Sequence, residues 1–237
     1  MNRVGMGIPI FKDLANLKEI INEIEINPEL PIDFYILDHG SKDVELSAYL
    51  DSLKISNVKI LRVDENYGFG GGIKYLLQNI ENDFIGWMPG NGKVSPKNLI
   101  VLSDLFSREN NIEAFKAHRS RRSPSENFKT FSAGLLISLY FQTNLFDSGG
   151  TPTIIKRDFV SHFLNGPDDF SFEAFSLFVI KTLKIKMVRL DVPYGVRMHG
   201  SSHWQRGFKS EIKLFFRIII QKKHWRQLLK KTPLIKN

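Results

Sequence analysis

Two polar side chains in the first half of this sequence directly follow short apolar runs. Asp38, within Asp38-His39-Gly40-Ser41, follows residues 33–37, and Asn91, within Pro89-Gly90-Asn91, closes the run of residues 83–88. A carboxylate at the end of a buried strand can accept hydrogen bonds from ribose hydroxyls or a uracil-type ring. It can equally accept from the backbone of its own turn, as Asp does in ordinary turns.

Two segments of the second half contain arginine side chains that could contact phosphate. Arg119, Arg121 and Arg122 lie together, and Arg197 begins the stretch Arg197-Met198-His199-Gly200-Ser201. The planar guanidinium matches phosphate oxygens in two-point contacts. Both segments therefore fit a role in neutralising a phosphorylated ligand, and the alternative is a solvated basic loop. His199 can contact the same ligand, ligate a metal, or do neither.

Two adjacent acids, Asp168 and Asp169, precede a helix that the sequence predicts over residues 170–183. A carboxylate within hydrogen-bond reach of a hydroxyl can act as a general base, whereas acids at a helix start also cap the helix. We take Asp169 as the first candidate for a base and Asp168 as the second. If the attacking oxygen belongs to a phosphate, no base is needed, because that oxygen is already anionic.

Strands that alternate with helices must position these residues. The sequence predicts strands over residues 4–10, 33–37, 58–63 and 83–88, and helices over residues 13–24, 44–53 and 73–80. This alternation predicts a mostly parallel sheet with helices on both faces, a Rossmann-like α/β fold. Ligands bind such sheets where the carboxyl ends of the strands emerge. The turns after the four strands are therefore expected to line one crevice.

The glycine-rich stretch and the second half are less regular. Residues 65–72 are predicted as a loop, in which Gly68 and Gly70 permit close approach of the backbone to an anion at the start of a helix. Further on, the sequence predicts strands over residues 112–118, 153–156 and 186–192, a basic loop over residues 119–127, and a helix over residues 131–146.

Charge divides the chain into two parts. The net charge of the 237 residues is +8, yet residues 205–237 alone hold ten Lys or Arg against one Glu. We therefore predict an α/β domain over residues 1–205 and a basic amphipathic tail over residues 206–237. Because the basic charge is confined to the tail, a general nucleic-acid-binding surface is not predicted. A basic helix with aromatic residues over residues 208–229 is typical of helices on anionic lipid, and the alternative is packing on its own domain.

The remaining composition limits the location and the kind of site. Cysteine is absent, which excludes disulfides and thiolate metal sites. The sequence shows neither a signal peptide nor a run of about 18 apolar residues that can span a bilayer. The predicted location is the cytoplasm, peripheral at the inner face of the membrane.

The turns named above, taken in order, resemble those of family 2 glycosyltransferases of the GT-A fold, over roughly residues 4–204. Ile8-Pro9-Ile10-Phe11-Lys12-Asp13 resembles the opening strand of the family. Asp38-His39-Gly40-Ser41-Lys42-Asp43 resembles its nucleoside-binding turn, and Asn66-Tyr67-Gly68 resembles the loop after its third strand. The resemblance implies contacts with a nucleotide sugar at these residues: Pro9, Phe11, Asp13, Asp38, Ser41, Gly68, Gly70, Gly90, Asn91, Arg119, Arg122 and His199.

One motif departs from the family. Family members place Asp-x-Asp after the fourth strand, where the last Asp binds a divalent metal, but this chain has Pro89-Gly90-Asn91. Asn91 falls at the metal-ligand position, and its neutral amide is a weaker ligand for a hard cation. Three interpretations follow: Mg²⁺ or Mn²⁺ is held mainly by the diphosphate, metal dependence is weak, or catalysis has been lost.

The second half is most similar to the dolichol- or polyprenyl-phosphate sugar transferases. The resemblance implies an inverting enzyme that moves a sugar from a nucleoside diphosphate to a membrane-held acceptor, in which Arg197 offsets the charge of the leaving diphosphate. The acceptor is polyprenyl phosphate, which we prefer, or a sugar hydroxyl of a lipopolysaccharide or capsule-type glycan in bacterial surface glycan synthesis. The alternative is a catalytically degenerate nucleotide-binding or scaffold protein of the same fold.

Overall fold

The computed structural model describes residues 3–102, 105, 111–195, 199–200 and 208–231. Its strands are β1 (Val4–Ile10), β2 (Ile32–His39), β3 (Val58–Val63), β4 (Phe84–Trp87), β5 (Ala114–Lys116), β6 (His118–Ser120), β7 (Thr153–Lys156), β8 (Met187–Val188) and β9 (Asp191–Pro193). Its helices are α1 (Leu14–Glu25), α2 (Val44–Ser52), α3 (Gly68–Asn79), α4 (Pro124–Phe141), α5 (Phe172–Thr182) and α6 (Phe208–Lys231), with 3₁₀ turns at Pro96–Leu99 and Arg157–His162.

Seven strands form one sheet in the order β3-β2-β1-β4-β7-β5-β8, and β6 pairs with β9 beside it. The first four are parallel, whereas β7 runs antiparallel to both β4 and β5. In this register Ile10, the last residue of β1, lies opposite Asp38. The predicted parallel sheet with helices on both faces is confirmed, and the ends of β1, β2 and β4 meet at one edge.

Each face of the sheet carries its own apolar core. Alternate residues of β1 (Val4, Met6, Ile8 and Ile10) pack with α1 and α2 on one face. On the other face β1 presents glycines, and α3 fills the space. A Cβ on Gly7 would lie 2.8 Å from a methyl carbon of Leu76 on α3. This glycine therefore lets the helix pack directly on the central strand.

The C-terminal helix α6 belongs to the second core. Trp225 is fully buried, and its ring lies 5.4 Å from the rings of Phe141 on α4 and Phe175 on α5. Ile218 on the same helix is also buried. One side of the basic helix thus packs on its own domain. None of the helices in the described part of the chain is long and apolar enough to span a membrane.

Several predicted boundaries were wrong, and three of them have a clear physical reason. Helix α3 begins at Gly68 within the predicted loop, because the glycines form its first turn. Helix α4 begins at Pro124 rather than at residue 131, because Ser123 and Glu126 form a reciprocal capping box at its start. The strand predicted over residues 186–192 is two short strands, β8 and β9, which pair with different neighbours.

We predict that α6 contributes to the stability of the whole domain. Trp225→Ala removes a fully buried indole and is expected to lower the free energy of unfolding by about 3–5 kcal/mol, measured by urea denaturation. Ile220→Ala is the matched control on the same helix, because Ile220 is 78% exposed; it is expected to change stability by less than about 0.5 kcal/mol. Similar small effects of both substitutions would show that the tail is separable from the domain.

Candidate active site

The ends of β1 and β2 are joined by two hydrogen bonds through Ser41. Its hydroxyl accepts from the backbone N–H of Lys12 at 3.0 Å, and its own N–H donates to Oδ1 of Asp38 at 3.1 Å. Ser41 is fully buried and Asp38 is 8% exposed. Among the described residues only Ser41 donates to the Asp38 carboxylate. An oxygen of Asp38 therefore remains for a ligand at the strand edge.

The other predicted contacts from the opening strand lie at the same edge. Pro9 is in β1, opposite Leu37 of β2, and Phe11 and Asp13 follow the end of the strand, each partly exposed. Oδ1 of Asp13 accepts from the side chain of Asn16 at 2.6 Å. The structure thus places Pro9, Phe11 and Asp13 at the same end of the sheet as Asp38 and Ser41.

His39, to which sequence reasoning gave no role, holds the next loop. Its Nε2 accepts the backbone N–H of Tyr67 at 3.1 Å, and its ring lies against Gly72, where a Cβ would come within 2.9 Å of the ring. Burial lowers the pKa of His39, although the nearby Asp38 charge opposes that shift. The imidazole is therefore a neutral acceptor that ties the end of β2 to the loop before α3.

The glycines at the start of α3 contact protein rather than empty space. The N–H groups of Gly70 and Gly71 both donate to the carbonyl oxygen of Asp168, at 2.7 and 3.2 Å, and the N–H of Gly68 donates to Oδ1 of Asn66. A Cβ on Gly70 would lie 2.1 Å from the carbonyl oxygen of Pro167. The anion contact predicted for Gly68 and Gly70 is therefore corrected, because these amides already have partners and the glycines allow residues 167–168 to pack closely.

Both candidate bases are held by cations. Oδ1 of Asp168 lies 2.6 Å from Nζ of Lys74, beside a cavity of about 310 Å³ next to α3. Asp169 accepts from the N–H and the hydroxyl of Ser171, at 2.8 and 2.6 Å, and forms an ion pair with Arg217 of α6. Burial raises the pKa of Asp169, but the bonds from Ser171 and Arg217 outweigh it and leave the pKa of this carboxyl below its usual value. A carboxylate in this state is a weak general base.

The loop after β4 packs against β1. A Cβ on Gly90 would lie 2.1 Å from Ile10, so only glycine fits there, and Oδ1 of Asn91 accepts from the N–H of Lys93 at 3.1 Å. Within the described ranges no group of three His, Cys, Asp or Glu side chains can hold a metal ion. Asn91 offers one neutral oxygen that is already hydrogen-bonded. These side chains do not by themselves fit a hard divalent cation, which prefers several carboxylate oxygens.

Two of the predicted arginines lie near each other, Arg119 in β6 and Arg122 just before α4. Arg119 lies in β6 rather than in a loop; its backbone N–H and Nε donate to the carboxylate of buried Asp147, at 3.0 and 2.7 Å. Arg122 donates to Oγ1 of Thr130 at 2.7 Å and is 14% exposed. Burial lowers the pKa of Arg122, and the charge of Arg119 lowers it further, so the two guanidinium groups lie within each other's field.

The segment after β9 is hydrogen-bonded to Asn16 of α1. Arg197 lies outside the described residues. The backbone of His199 donates to Oδ1 of Asn16 at 3.3 Å and accepts from its Nδ2 at 3.0 Å, while the imidazole lies 3.5 Å from Glu19. Asn16 is fully buried. Asn16 is a polar residue next to the apolar residues of α1, and this position is the sequence signal that could have identified its contact with His199.

A buried ion pair links β5 of the sheet to α5, the helix that follows Asp168 and Asp169. Lys116 of β5 is fully buried, and its Nζ lies 2.8 Å from Oε2 of Glu173 on α5 and 2.9 Å from Oγ1 of Thr153. The other oxygen of Glu173 accepts from the indole N–H of Trp87 at 2.9 Å, at the end of β4. Burial lowers the pKa of Lys116, and Glu173 opposes that shift. The sequence alone predicts only that Lys116 lies in a strand.

We predict an acid-sensitive step in stability at His39. Because the folded-state pKa of His39 is below the unfolded value of about 6.5, its contribution is present above that pH and is lost as pH falls through the folded value. His39→Gln retains an acceptor but cannot be protonated. The variant is expected to lose less free energy of unfolding than the parent between about pH 7 and pH 5, measured by urea denaturation. Equal pH slopes for both proteins would contradict a neutral buried imidazole.

The fold is similar to that of glucosyl-3-phosphoglycerate synthase from Mycobacterium tuberculosis. The structure of that enzyme with Mn²⁺, uridine diphosphate and phosphoglyceric acid has a TM-score of 0.69 and 15% identity, covering 95% of this chain and 78% of that chain. Its complex with Mg²⁺ and uridine diphosphate has a TM-score of 0.67 and 17% identity, covering 95% and 79%. At this identity the likeness establishes the fold alone.

Sequence comparison gives the family. None of the curated proteins matches the chain in sequence. The family model described as glycosyl transferase family 2 matches residues 6–163. This range includes Ser41, which joins the ends of β1 and β2, the glycines of α3, and Arg119 and Arg122. The chain therefore belongs to glycosyl transferase family 2 and is a glycosyltransferase with the GT-A fold.

Proposed function

We propose that the chain transfers a sugar, with inversion, from a nucleoside-diphosphate sugar to polyprenyl phosphate held at a membrane, in bacterial surface glycan synthesis. The donor half rests on the strand edge where Asp38 and Ser41 are clasped to the end of β1. The structural relatives support uridine diphosphate as the first nucleotide to test, because their crystals contain it. Asp38 accepts from the nucleoside, and Phe11 and Asp13 line the same edge.

The observation that favours a phosphate acceptor is the state of the two acids. Asp168 is paired with Lys74, and Asp169 with Ser171 and Arg217. A sugar hydroxyl must lose its proton to a base during attack, whereas a phosphate oxygen attacks C1 of the donor as an anion and needs none. Acids engaged in ion pairs therefore suit the polyprenyl phosphate better than the glycan hydroxyl, which is the second candidate acceptor.

Cations of this chain supply the charge balance. The attacking oxygen approaches C1 on the side opposite the diphosphate, and negative charge grows on the leaving group as the bond to C1 breaks. Arg119 and Arg122 both lie near Tyr194. The guanidinium carbon of Arg119 is 5.7 Å from the centre of the Tyr194 ring. Held in place before reaction, such cations stabilise developing charge at little cost in reorganisation. Arg197 and His199 are proposed for the same diphosphate.

A divalent cation enters this proposal only as a partner of the diphosphate. When bound, Mg²⁺ or Mn²⁺ would neutralise phosphate oxygens, and Asn91 is the side chain proposed to touch it. The relatives are crystallised with Mn²⁺ or Mg²⁺. The side chains described here do not form a cage for the ion, so none of the steps above depends on it.

The activity is tested with the purified full chain, polyprenyl phosphate and a panel of nucleotide sugars, each with and without Mn²⁺. Release of nucleoside diphosphate with sugar attached to the lipid phosphate is the expected result. Phosphoglyceric acid and a glycan acceptor are the comparison arms. Turnover with either of these alone would replace the proposed acceptor, and nucleotide binding without any turnover would indicate a catalytically degenerate protein.

Asp38→Asn tests the donor site. The amide oxygen still accepts from Ser41, so the clasp persists, but the charged acceptor for the nucleoside is lost. Binding of uridine diphosphate, measured by calorimetry, is expected to weaken roughly 10- to 100-fold. Asp51→Asn, on the exposed surface of α2 where Asp51 pairs with Arg62, is the matched control and should bind as the parent does. Unchanged affinity of Asp38→Asn would remove the carboxylate from the donor site.

Asp169→Asn separates the two acceptors. If the acceptor is a phosphate, the kcat of the variant should fall by less than about tenfold, because no proton is transferred to this residue. Loss of a general base would instead reduce kcat about 10²- to 10⁴-fold. Asp168→Asn is measured in parallel to identify which acid is responsible if the larger loss is seen. That larger loss would favour the glycan hydroxyl.

A further inference from the structure

Helix α4 exposes an apolar face to solvent. Six of its large apolar side chains are between 45% and 72% exposed: Phe128, Phe131, Leu135, Leu136, Leu139 and Tyr140. Their spacing of three and four residues places them on one side of the helix, whereas Gly134, Ile137 and Phe141 are buried on the other. The exposed side has the composition of a core face, and none of the described residues covers it.

Helix α6 extends this face. Ile212, Phe216 and Ile220 recur every fourth residue and are 38%, 57% and 78% exposed. Lys222 of α6 donates to the carbonyl oxygen of Tyr140, and Arg226 donates to that of Phe141 at 3.3 Å, so the two helices are joined at the end of α4. Tyr140 and Ile220 line one cavity between them. We call these nine exposed residues and that cavity the α4–α6 face.

The cavity has the chemistry of an anion site. Its volume is about 360 Å³, and its walls include Lys222, Lys223, Arg226 and Lys230. None of the described residues that line it is acidic. The cavity therefore places four cations beside apolar side chains, which matches an amphiphile whose head is negatively charged and whose tail is apolar.

A second copy of the chain is a poorer partner for this face than lipid is. Twofold association places the same patch against itself, so the four cations of one copy would approach the four of the other. Soluble monomers rarely expose continuous apolar patches of this kind without a partner. An anionic bilayer satisfies both features, because apolar side chains enter the headgroup boundary while Lys and Arg contact lipid phosphates.

We propose that the α4–α6 face docks on an anionic bilayer, with a lipid phosphate in the cavity between the two helices. The surface differs from the one predicted for the tail alone, since Trp225 of α6 is buried and most of the exposed apolar residues are on α4. Helix α4 starts next to Arg122, so docking brings its first turn and Arg122 toward the lipid surface. The docking surface stands on these contacts and does not depend on the transferase activity.

The test is co-sedimentation of the full chain, without nucleotide sugar, with phosphatidylcholine vesicles that contain or lack phosphatidylglycerol. Binding is expected only with phosphatidylglycerol and should weaken in high salt. Leu136→Glu with Leu139→Glu is expected to lower the partition coefficient at least about tenfold. Ile26→Glu, at the end of α1, is the matched apolar control, because Ile26 is 68% exposed and Leu139 is 67% exposed; it should bind as the parent does.

Charge reversal tests the cavity. Lys223→Glu with Lys230→Glu is expected to abolish the preference for phosphatidylglycerol, whereas Lys54→Glu, between α2 and β3, should leave it unchanged. Because these substitutions lie on the exposed surface, the unfolding midpoint of each variant should stay close to that of the parent.

Leu136→Trp is a second test of the docking face and is used where a charge-reversal variant is unstable. Tryptophan fluorescence of that variant should be quenched by brominated phosphatidylglycerol.

Three results would overturn the proposal: vesicle binding by the double Leu variant equal to the parent, equal binding of the parent to neutral and anionic vesicles, or no quenching of the new Trp. If the double Leu substitution instead converts a dimer to a monomer in sedimentation velocity and leaves vesicle binding unchanged, the face is an interface between two copies. None of these outcomes depends on turnover, so they are distinguishable from a failure of the proposed function.

Discussion

The pairing of β1 with β2 on one side and β4 on the other is the constraint on which the donor site depends. In-register parallel hydrogen bonding makes the three strands end at the same edge, so residues that are about 30 or 80 positions apart in the chain meet there. The glycines of β1 let α3 lie directly on this strand. Ser41 then closes the edge by bonding both to Lys12 and to Asp38. The strand ends that we propose as the nucleoside site are thus held together by backbone and side-chain hydrogen bonds.

The surroundings of Arg119 and of the two candidate bases depend on charge compensation rather than on strand pairing. Asp147 is buried and holds Arg119, while Asp168 and Asp169 are held by Lys74 and Arg217. Each of these carboxylates is paired with a cation, and for Asp147, which is buried, the absence of such a partner would be costly. The arrangement orients Arg119 and engages each acid with a cation, and the bonds from Ser171 and Arg217 make Asp169 a weak base. That combination is better suited to binding phosphates than to removing a proton from a sugar.

Helix α6 connects this chemistry to the surface. Its Arg217 contacts Asp169 beside the crevice, its Trp225 fills the second core, and its Ile212, Phe216 and Ile220 continue the exposed stripe of α4. One helix therefore has three different surroundings around its circumference. Its high positive charge is distributed among an ion pair, backbone contacts with α4 and the proposed lipid cavity. A basic segment of this kind is integrated into the domain by its apolar residues and remains available to anions through its lysines.

Apolar periodicity and turn residues are local signals, so they predict the α/β alternation and the four turns at the strand ends. The resemblance of those turns to known motifs indicated the family, which the family model confirms. The sequence also provides Asp38, Ser41 and the arginines as candidates, since their motifs are short and contiguous. Only the tertiary structure decided that the α3 amides bind Asp168, that Asp169 pairs with Arg217, and that Asn16 holds the backbone of His199. These partners lie 48 to 183 residues apart in the chain, and neither propensity nor spacing encodes such contacts. The direction of the apolar face of α6 likewise depended on what α4 and α5 offered to cover it, because burial is a property of the packed domain.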